Sequence, residues 1–472
     1  MIYILVCAFV LVTLWFSYNL VKTYQLCGYS VGKFLDNCLK LNFSFGDKNR
    51  LVVTKRMIRF FIALALFYAA LFFLPLYFVH NVFLIILDCL VIVVALPFWI
   101  VLVHYICLPL EQMIRCCYIH AAKRKLAKKS VIKIGITGSY GKTSVKNILA
   151  HILEKEYKVC ATPKNYNTEM GTTITILKNL DDHDVFIAEM GARKPRDIEK
   201  LTRIVKPDIG IITSVGNCHI ESFKSVEKIE NTKFELAANL PAGGQMFFSL
   251  ASQSSEKLYK RFTGTKFATC KDNCFAYAKN EKVSAEGSRF DLVIDGKLVP
   301  LQTRLLGKFN IDNIVLAAAA AYKLGISMDD IAAAVKTLAP TPHRLQLIKN
   351  GYSYVLDDSY NSNEVGFAEA LKVLSKFEGR KIVVTPGMVE LGACQSEINF
   401  KLGGMIADVC DYFIIMNKVN KNELLSGAIS HDFKKENIFF AATRKEQTDL
   451  IKLLSCKDCV ILFENDLPDN YE

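Results

Sequence analysis

The chain has 472 residues, a formal net charge of +12 and 51% hydrophobic residues. Residues 1–130 carry 14 Lys/Arg against 4 Asp/Glu, so they hold +10 of that charge and leave the remainder nearly neutral. This excludes a nucleic-acid footprint on the globular part and makes the basic excess a membrane-topology signal. The length allows roughly three domains. The fifteen cysteines are scattered. Cys456–Cys459 and Cys270–Cys274 have no partner pair, so they read as thiols in a reducing compartment rather than as zinc ligands or a disulfide framework.

The first predicted element, over residues 1–20, is uncharged up to Lys22 and long enough to cross a bilayer, which takes about 20 residues. It begins Met-Ile-Tyr-Ile, without the basic start of a cleaved signal peptide. Two further apolar runs, 60–79 and 83–108, flank His80-Asn81-Val82 and predict a helical hairpin. Asp88 and His104, inside the last run, read as helix–helix polar contacts or snorkelling ends. Lys/Arg fill the segments 21–59 and 115–129, which places both in the cytoplasm and the N-terminus outside. The expectation is a multi-pass anchor in the cell membrane over residues 1–130, with everything after Leu110 cytoplasmic. Lys123–Lys129 suits an anionic leaflet.

From Val131 the pattern changes to alternating strands and helices. Val131–Ile136 reads as a buried strand and Val145–Leu153 as a helix. Between them lies Thr137-Gly138-Ser139-Tyr140-Gly141-Lys142-Thr143-Ser144. Strand, glycine turn, lysine, hydroxyl and helix form a polyphosphate cradle. Lys142 pairs with the outer phosphates there, and Thr143 offers a hydroxyl to Mg²⁺. The spacing from Gly138 to Gly141 is two residues shorter than in the usual phosphate loop.

Apolar strands at 185–188 and 209–213 end at Glu189 and at Ser214–Glu221, which includes His219. Carboxyl ends of parallel strands build sites, and Glu189 with His219 offers a ligand set for a divalent metal. A helix over 226–240 carries Lys233, which its pattern alone places on the surface. Residues 245–304 read as short β segments, and an Ala-rich helix follows at 311–324, with another starting at Ser327. Pro340 and Pro342 mark a boundary between a central domain, 131–340, and a second α/β unit, 341–472. That unit has strands near 354–356, 381–385, 412–416 and 460–463, and a capping box at Thr443–Glu446. The fold class is therefore α/β: three transmembrane helices, a parallel-sheet ATPase-like domain and a Rossmann-like domain.

In these motifs the chain resembles the Mur ligase family. The sequence 137–143 matches that family's shortened phosphate loop, with Gly138, Ser139, Gly141, Lys142, Thr143 and Ser144 contacting nucleotide. Thr162-Pro-Lys-Asn165-Tyr-Asn167 resembles its substrate loop, Glu189-Met-Gly-Ala its metal-binding glutamate motif, and 212–221 its histidine motif around His219. Lys233 falls where the family carries a carbamylated lysine. Leu306–Asn313 matches its nucleotide-binding pair, Asn310 and Asn313. His343-Arg344 and Asp357–Asn363 match the start of its C-terminal domain, with Arg344 and Asp358 for phosphate and ribose and Tyr360 and Asn361 near substrate.

The resemblance implies ATP-dependent amide bond formation through an acyl phosphate. It implies two Mg²⁺ ions, one on Thr143 and Glu189 and one on His219 beside carbamylated Lys233. Lys142, Lys233 and His219 are then the catalytic set. Within the family the pattern is most similar to members that add D-alanyl-D-alanine to a muramoyl-tripeptide precursor. The chain departs from the family at Phe309, at Gly387 and at Phe463-Glu-Asn-Asp, where His, Asp and Lys-Gly-Ser are usual. Residues 1–130 stand in place of the soluble uridine-binding domain, so the acyl substrate is nucleotide- or lipid-linked. The alternatives are a membrane-anchored ligase for another polymer such as poly-glutamate, or a catalytically silent scaffold.

Overall fold

A computed structural model describes residues 2–40, 51–78, 81–164, 166–216, 220–351, 353–360 and 363–466. The chain forms two compact units, Met1–Cys117 and Tyr118–Glu472.

Among the described residues, three helices have stretches long and apolar enough to cross a membrane: Val6–Leu26 and Lys55–Pro75 in the first unit, and Leu96–Ala127, which begins in the first unit and extends past Cys117. The apolar run 83–108 is not the single helix expected from the sequence. It divides into Val82–Val94 and Leu96–Ala127, with Ala95 closing the first. Pro97 explains the break: it lacks an N–H and clashes with a preceding helical turn, but fits the first turn of a new helix. The 13-residue helix Val82–Val94 is too short to span, whereas 32 residues reach about 48 Å at 1.5 Å per residue. Helix–helix polar contacts bind the bundle. Ser17 and Tyr68 hydroxyls meet at 2.9 Å, Tyr24 Oη meets His104 Nδ1 at 2.5 Å, and Arg59 donates twice to Glu111, at 2.6 and 2.7 Å. His104 thus makes the kind of contact expected of it. Leu11, Leu66 and Ile106 face outward.

The second unit carries two sheets. The first contains β1 (Ile132–Thr137), β2 (Val159–Ala161), β3 (Val185–Glu189), β4 (Ile209–Ile212), β5 (Gln245–Ser249), β6 (Thr265–Thr269), β7 (Ala276–Ser284), β8 (Gly287–Ile294) and β9 (Lys297–Thr303). Their order is β2-β3-β1-β4-β5-β6-β7-β8-β9. Pairing is parallel from β2 to β7, and β7-β8-β9 is an antiparallel meander. β3 and β4 flank β1 on opposite sides, so the chain reverses its winding at the carboxyl end of β1, where a crevice opens. β1, β3 and β4 are nearly all buried, as strands covered on both faces are. The helix Lys308–Lys323 buries Ala317–Ala321 completely. Their small side chains let it pack closely on the helix Lys142–Leu153 in one core.

The second sheet contains β10 (Gln346–Asn350), β11 (Ser353–Asp358), β12 (Lys381–Thr385), β13 (Tyr412–Met416), β14 (Ile438–Ala441) and β15 (Val460–Glu464), in the order β10-β11-β15-β12-β13-β14. Sequence patterning misses β10 and β14, and it reads the helix Gln253–Arg261 as part of a β region. Gln346–Asn350 lacks strict alternation, Ile438–Ala441 is a four-residue apolar run that fits helix or strand, and Gln253–Arg261 has few apolar residues. The capping box at Thr443 forms with a shift. Thr443 Oγ1 accepts from the Glu446 amide at 3.2 Å, but Glu446 Oε2 accepts from Ala442, at 2.8 Å. Lys125 and Lys129 are engaged by protein: Lys125 donates to Asp181 Oδ1 and the Leu177 carbonyl, both at 3.0 Å, and Lys129 to the Asp181 carbonyl.

Candidate active site

The site is built on the carboxyl ends of β1, β3 and β4. After Thr137 the backbone passes through Gly138 at φ +151° and Gly141 at φ +79°. A Cβ on Gly138 would overlap the Thr213 hydroxyl, and one on Gly141 would stand 2.6 Å from Asn313 Oδ1. The turn therefore needs glycine at both positions. The end of β4 buttresses the loop. The Ser139 and Tyr140 amides both donate to the Ser214 carbonyl, at 2.9 and 3.2 Å. Ser139 Oγ donates to Gly216 O at 3.0 Å, and Thr213 Oγ1 donates to Tyr140 O at 2.5 Å. Gly141 caps the helix Lys142–Leu153, whose first-turn amides have no intrahelical acceptors. That is the anion-binding end of the helix dipole. Lys142 Nζ folds back on Gly138 O and Ser139 O, at 2.8 and 2.9 Å.

Glu189, at the end of β3, is 1% exposed and is the hub of the site. Its Oε2 accepts from Thr143 Oγ1 at 3.0 Å and from Lys146 Nζ at 3.2 Å; its Oε1 accepts from Asn167 Nδ2 at 3.2 Å. Its amide donates to Thr162 Oγ1 at 3.0 Å. The carboxylate and the Thr143 hydroxyl are hard oxygen donors beside the phosphate loop, a set that fits Mg²⁺. Burial strengthens the hold of such a carboxylate on a cation. Sequence pattern alone does not single out Lys146: its place four residues after Lys142 puts both lysines on one helix face, but does not say which partner it meets.

Lys233 lies on the helix Val226–Ala238 and is 2% exposed, not at the surface as its sequence pattern indicates. His219, Asn165 and Asn361 lie outside the described residues.

A cavity of about 190 Å³ opens beside the phosphate loop, lined by Ser144, Asn147, His151, Asn310, Thr341 and Arg344 among others. It brings together residues of the central domain and of the segment that leads into the second sheet. Asn147 Nδ2 donates to Thr341 Oγ1 at 3.2 Å, and His151 Nε2 meets Thr337 Oγ1 at 2.9 Å. Asn310 Nδ2 donates to the Leu306 carbonyl at 2.8 Å, which fixes the turn into its helix. The Arg344 guanidinium stacks over the Tyr360 ring, 4.4 Å from its centroid.

Asp358 is buried and turned into the fold. Its Oδ1 accepts from the Leu345 amide at 3.0 Å, so it sets the backbone beside Arg344 rather than lining the cavity. Burial pushes its carboxyl pKa up to about 6. The more accessible acid is Asp357, whose Oδ2 meets His343 Nδ1 at 2.7 Å.

The family model for the Mur ligase middle domain matches residues 136–321. The chain is 31% identical over 332 residues to the UDP-N-acetylmuramoyl-tripeptide--D-alanyl-D-alanine ligase of Buchnera aphidicola subsp. Baizongia pistaciae, over 70% of this chain and 71% of that protein. It is 29% identical over 348 residues to the protein of the same description from Bacillus subtilis, over 73% and 75% of the two chains. The solved MurF of Acinetobacter baumannii shares the fold with a TM-score of 0.68 at 21% identity, over 75% and 77% of the two chains. The MurF ligase of Thermotoga maritima in complex with ADP does so with a TM-score of 0.67 at 24% identity, over 75% and 80%.

Proposed function

The chain belongs to the Mur ligase family, and from that premise we propose that it joins D-alanyl-D-alanine to a muramoyl-tripeptide at the cytoplasmic face of a membrane. Mur ligases are ATP-dependent amide ligases, and this chain is an enzyme of that class. The observation that carries the reading is the convergence of Thr143, Asn167 and Lys146 on the buried Glu189 carboxylate next to Lys142.

A carboxylate is a poor acyl donor. In the first step its oxygen attacks the γ-phosphorus of ATP; the bond to the bridging oxygen breaks and ADP leaves. In the second step the amine of D-alanyl-D-alanine attacks the acyl carbon. Phosphate leaves, an amide forms and the amine proton passes to solvent. Charge develops on phosphoryl oxygens. Lys142, whose Nζ rests on the Gly138 and Ser139 carbonyls of the loop, and the first-turn amides of its helix would stabilise that charge. Mg²⁺, when bound, would neutralise the phosphates; Thr143 and Glu189 would hold one ion, and the family resemblance assigns a second to His219 with Lys233 carbamylated. The cavity lined by Asn310 and Arg344 takes the nucleoside, with Asn313 against the phosphate loop and Asp358 holding the segment of Arg344. By the family resemblance, Asn165, Asn167, Tyr360 and Asn361 would contact the peptide. The catalytic domains run over 131–340 and 341–472, and closing one on the other completes the site.

The three apolar stretches support a membrane-anchored enzyme. They occupy the place of a uridine-binding domain, which favours a lipid-linked acyl substrate as a second form of the same reading. The test is phosphate release by the detergent-purified full-length protein with ATP, Mg²⁺, UDP-muramoyl-tripeptide and D-alanyl-D-alanine, each omitted in turn. Release that needs both substrates is expected. Release only with a lipid-linked tripeptide moves the reaction to the membrane. Release with glutamate as acceptor, or no release with any of them, overturns the reading.

A further inference from the structure

Lys146 is 1% exposed, and the chemistry above gives it no task. Its Nζ donates to Glu189 Oε2 at 3.2 Å and to the Lys164 carbonyl at 2.6 Å. Lys164 adopts a left-handed backbone, φ +47°, in the segment between β2 and Asn167. That segment is tied to the same carboxylate a second time, through Asn167 Nδ2 on Oε1 at 3.2 Å. Gly191, just beyond Glu189, is what lets Asn167 lie there, since a Cβ would stand 2.7 Å from its Cγ. One buried ammonium thus joins the phosphate-loop helix, the Glu189 carboxylate and the loop 162–167. A buried cation loses its hydration, so it is held by whatever acceptors face it. Lys146 and a metal ion would use the same oxygen. Two cations on one oxygen repel, and more strongly in a buried site than in water.

We propose that Lys146 is a positioning residue that couples the metal site to the substrate loop. Without metal it neutralises Glu189 and pins the loop through the Lys164 carbonyl. A divalent cation arriving on Glu189 displaces it and frees the loop to receive the peptide. By linkage, Lys146 lowers the affinity of the site for the metal by the same factor that the metal lowers the hold on the loop. The inference rests on Glu189 being a ligand of the nucleotide-bound Mg²⁺.

The test is hydrogen exchange at the amides of Lys164 and Tyr166–Thr168 in the full-length protein, with ADP and chelator, with Mg²⁺ alone, and with ADP and Mg²⁺. In the wild-type protein, Mg²⁺ with ADP is expected to speed exchange at these amides about fivefold or more. In Lys146→Met they exchange fast in every condition, and calorimetry shows Mg²⁺ in the presence of ADP binding about fivefold tighter. A lysine with only a structural part would leave that affinity unchanged or weaken it. Lys146→Arg, which keeps the charge, retains the metal response. Amides of Val185–Glu189 in the same experiment report whether the variants are folded; if Lys146→Met is not, Lys146→Arg against wild type decides. Equal loop exchange in folded Lys146→Met and wild type without metal overturns the coupling, as does slower exchange in wild type on adding Mg²⁺. If the wild-type protein fails to bind Mg²⁺ with ADP at all, the nucleotide-site reading itself falls, and calorimetry separates that result from failure of the coupling alone.

Discussion

Thr143 and Glu189 stand 46 residues apart in the chain and meet through a 3.0 Å hydrogen bond from the hydroxyl to Oε2. The contact joins the first turn of the phosphate-loop helix to the end of the neighbouring strand β3. It exists because β1 and β3 pair in parallel, with Ile136 opposite Glu189.

Glu189→Gln removes the carboxylate proposed to hold the metal and strands the Lys146 ammonium. Breaking a buried ion pair costs about 3–5 kcal/mol, so the single variant is expected to melt early and to lose turnover. Glu189→Gln with Lys146→Met removes both charges. Thermal melting of the double variant should recover most of the loss, while phosphate release stays down by about 10²–10³-fold. Recovery of turnover with stability would mean that Glu189 is only structural.

Gly141 and Gly296 both have left-handed backbones, at φ +79° and +78°, but differ in what surrounds them. A Cβ at Gly296 meets nothing within 4 Å, whereas at Gly141 it collides with Asn313. Either change to Ala is expected to cost about 1–3 kcal/mol in backbone strain, read by denaturant melts. Only Gly141→Ala should also weaken ADP binding in calorimetry, because it moves the Asn313 side chain off the loop.

Asp358 and Glu464 are register partners on the parallel strands β11 and β15, with Glu464 fully buried. Burial raises the Asp358 pKa to about 6, while its hydrogen bond with Glu464 pulls it down. A carboxyl raised in the folded state stabilises most below its unfolded pKa, near 3.9. That stability is lost as pH rises through about 6. Melting of the wild-type protein should therefore fall between pH 4 and pH 6.5 from this group. Asp358→Asn removes the titrating group and keeps an oxygen that can accept from the Leu345 amide. It is expected to flatten that fall in thermal melts taken across the range. A variant that melts with the wild-type pH profile would show that Asp358 does not carry the effect.

The change of composition at Val131 invites truncation there, but the packing argues otherwise. Ala122 and Leu126 are buried against the core that contains Phe186 and Ile204, and Lys125 is held by Asp181. A chain starting at Tyr118 keeps these contacts. One starting at Val131 loses about 2 kcal/mol for the leucine alone, and should melt several degrees lower in a side-by-side thermal scan.

Much of the site was legible one residue at a time. The phosphate loop could be read because it is local: its glycines, lysine and hydroxyl act within eight residues, and their spacing is set by the turn itself. Glu189 was legible as a strand end. Lys146 was not, because a lysine four residues into a helix has the same pattern whether it meets water or a carboxylate from another strand. Lys233 illustrates the same limit: its helix reads as amphipathic with the lysine outside, and only packing against neighbouring elements buries it. The edge strands β10 and β14 do not stand out because Gln346–Asn350 lacks strict alternation and Ile438–Ala441 is a short apolar run that a buried helix segment would share.

The sequence by itself determined three apolar segments, an alternating α/β order and a phosphate loop, since each follows from hydropathy and turn chemistry over short stretches. Only the tertiary structure decided where the third apolar run breaks, which of two adjacent aspartates is buried, and that one carboxylate gathers a hydroxyl and an ammonium from one helix and an amide from a separate loop. Those facts depend on strand order and on which faces are covered. They are fixed when the whole core closes, because the cost of burying a charge can be judged only once its partners are in place.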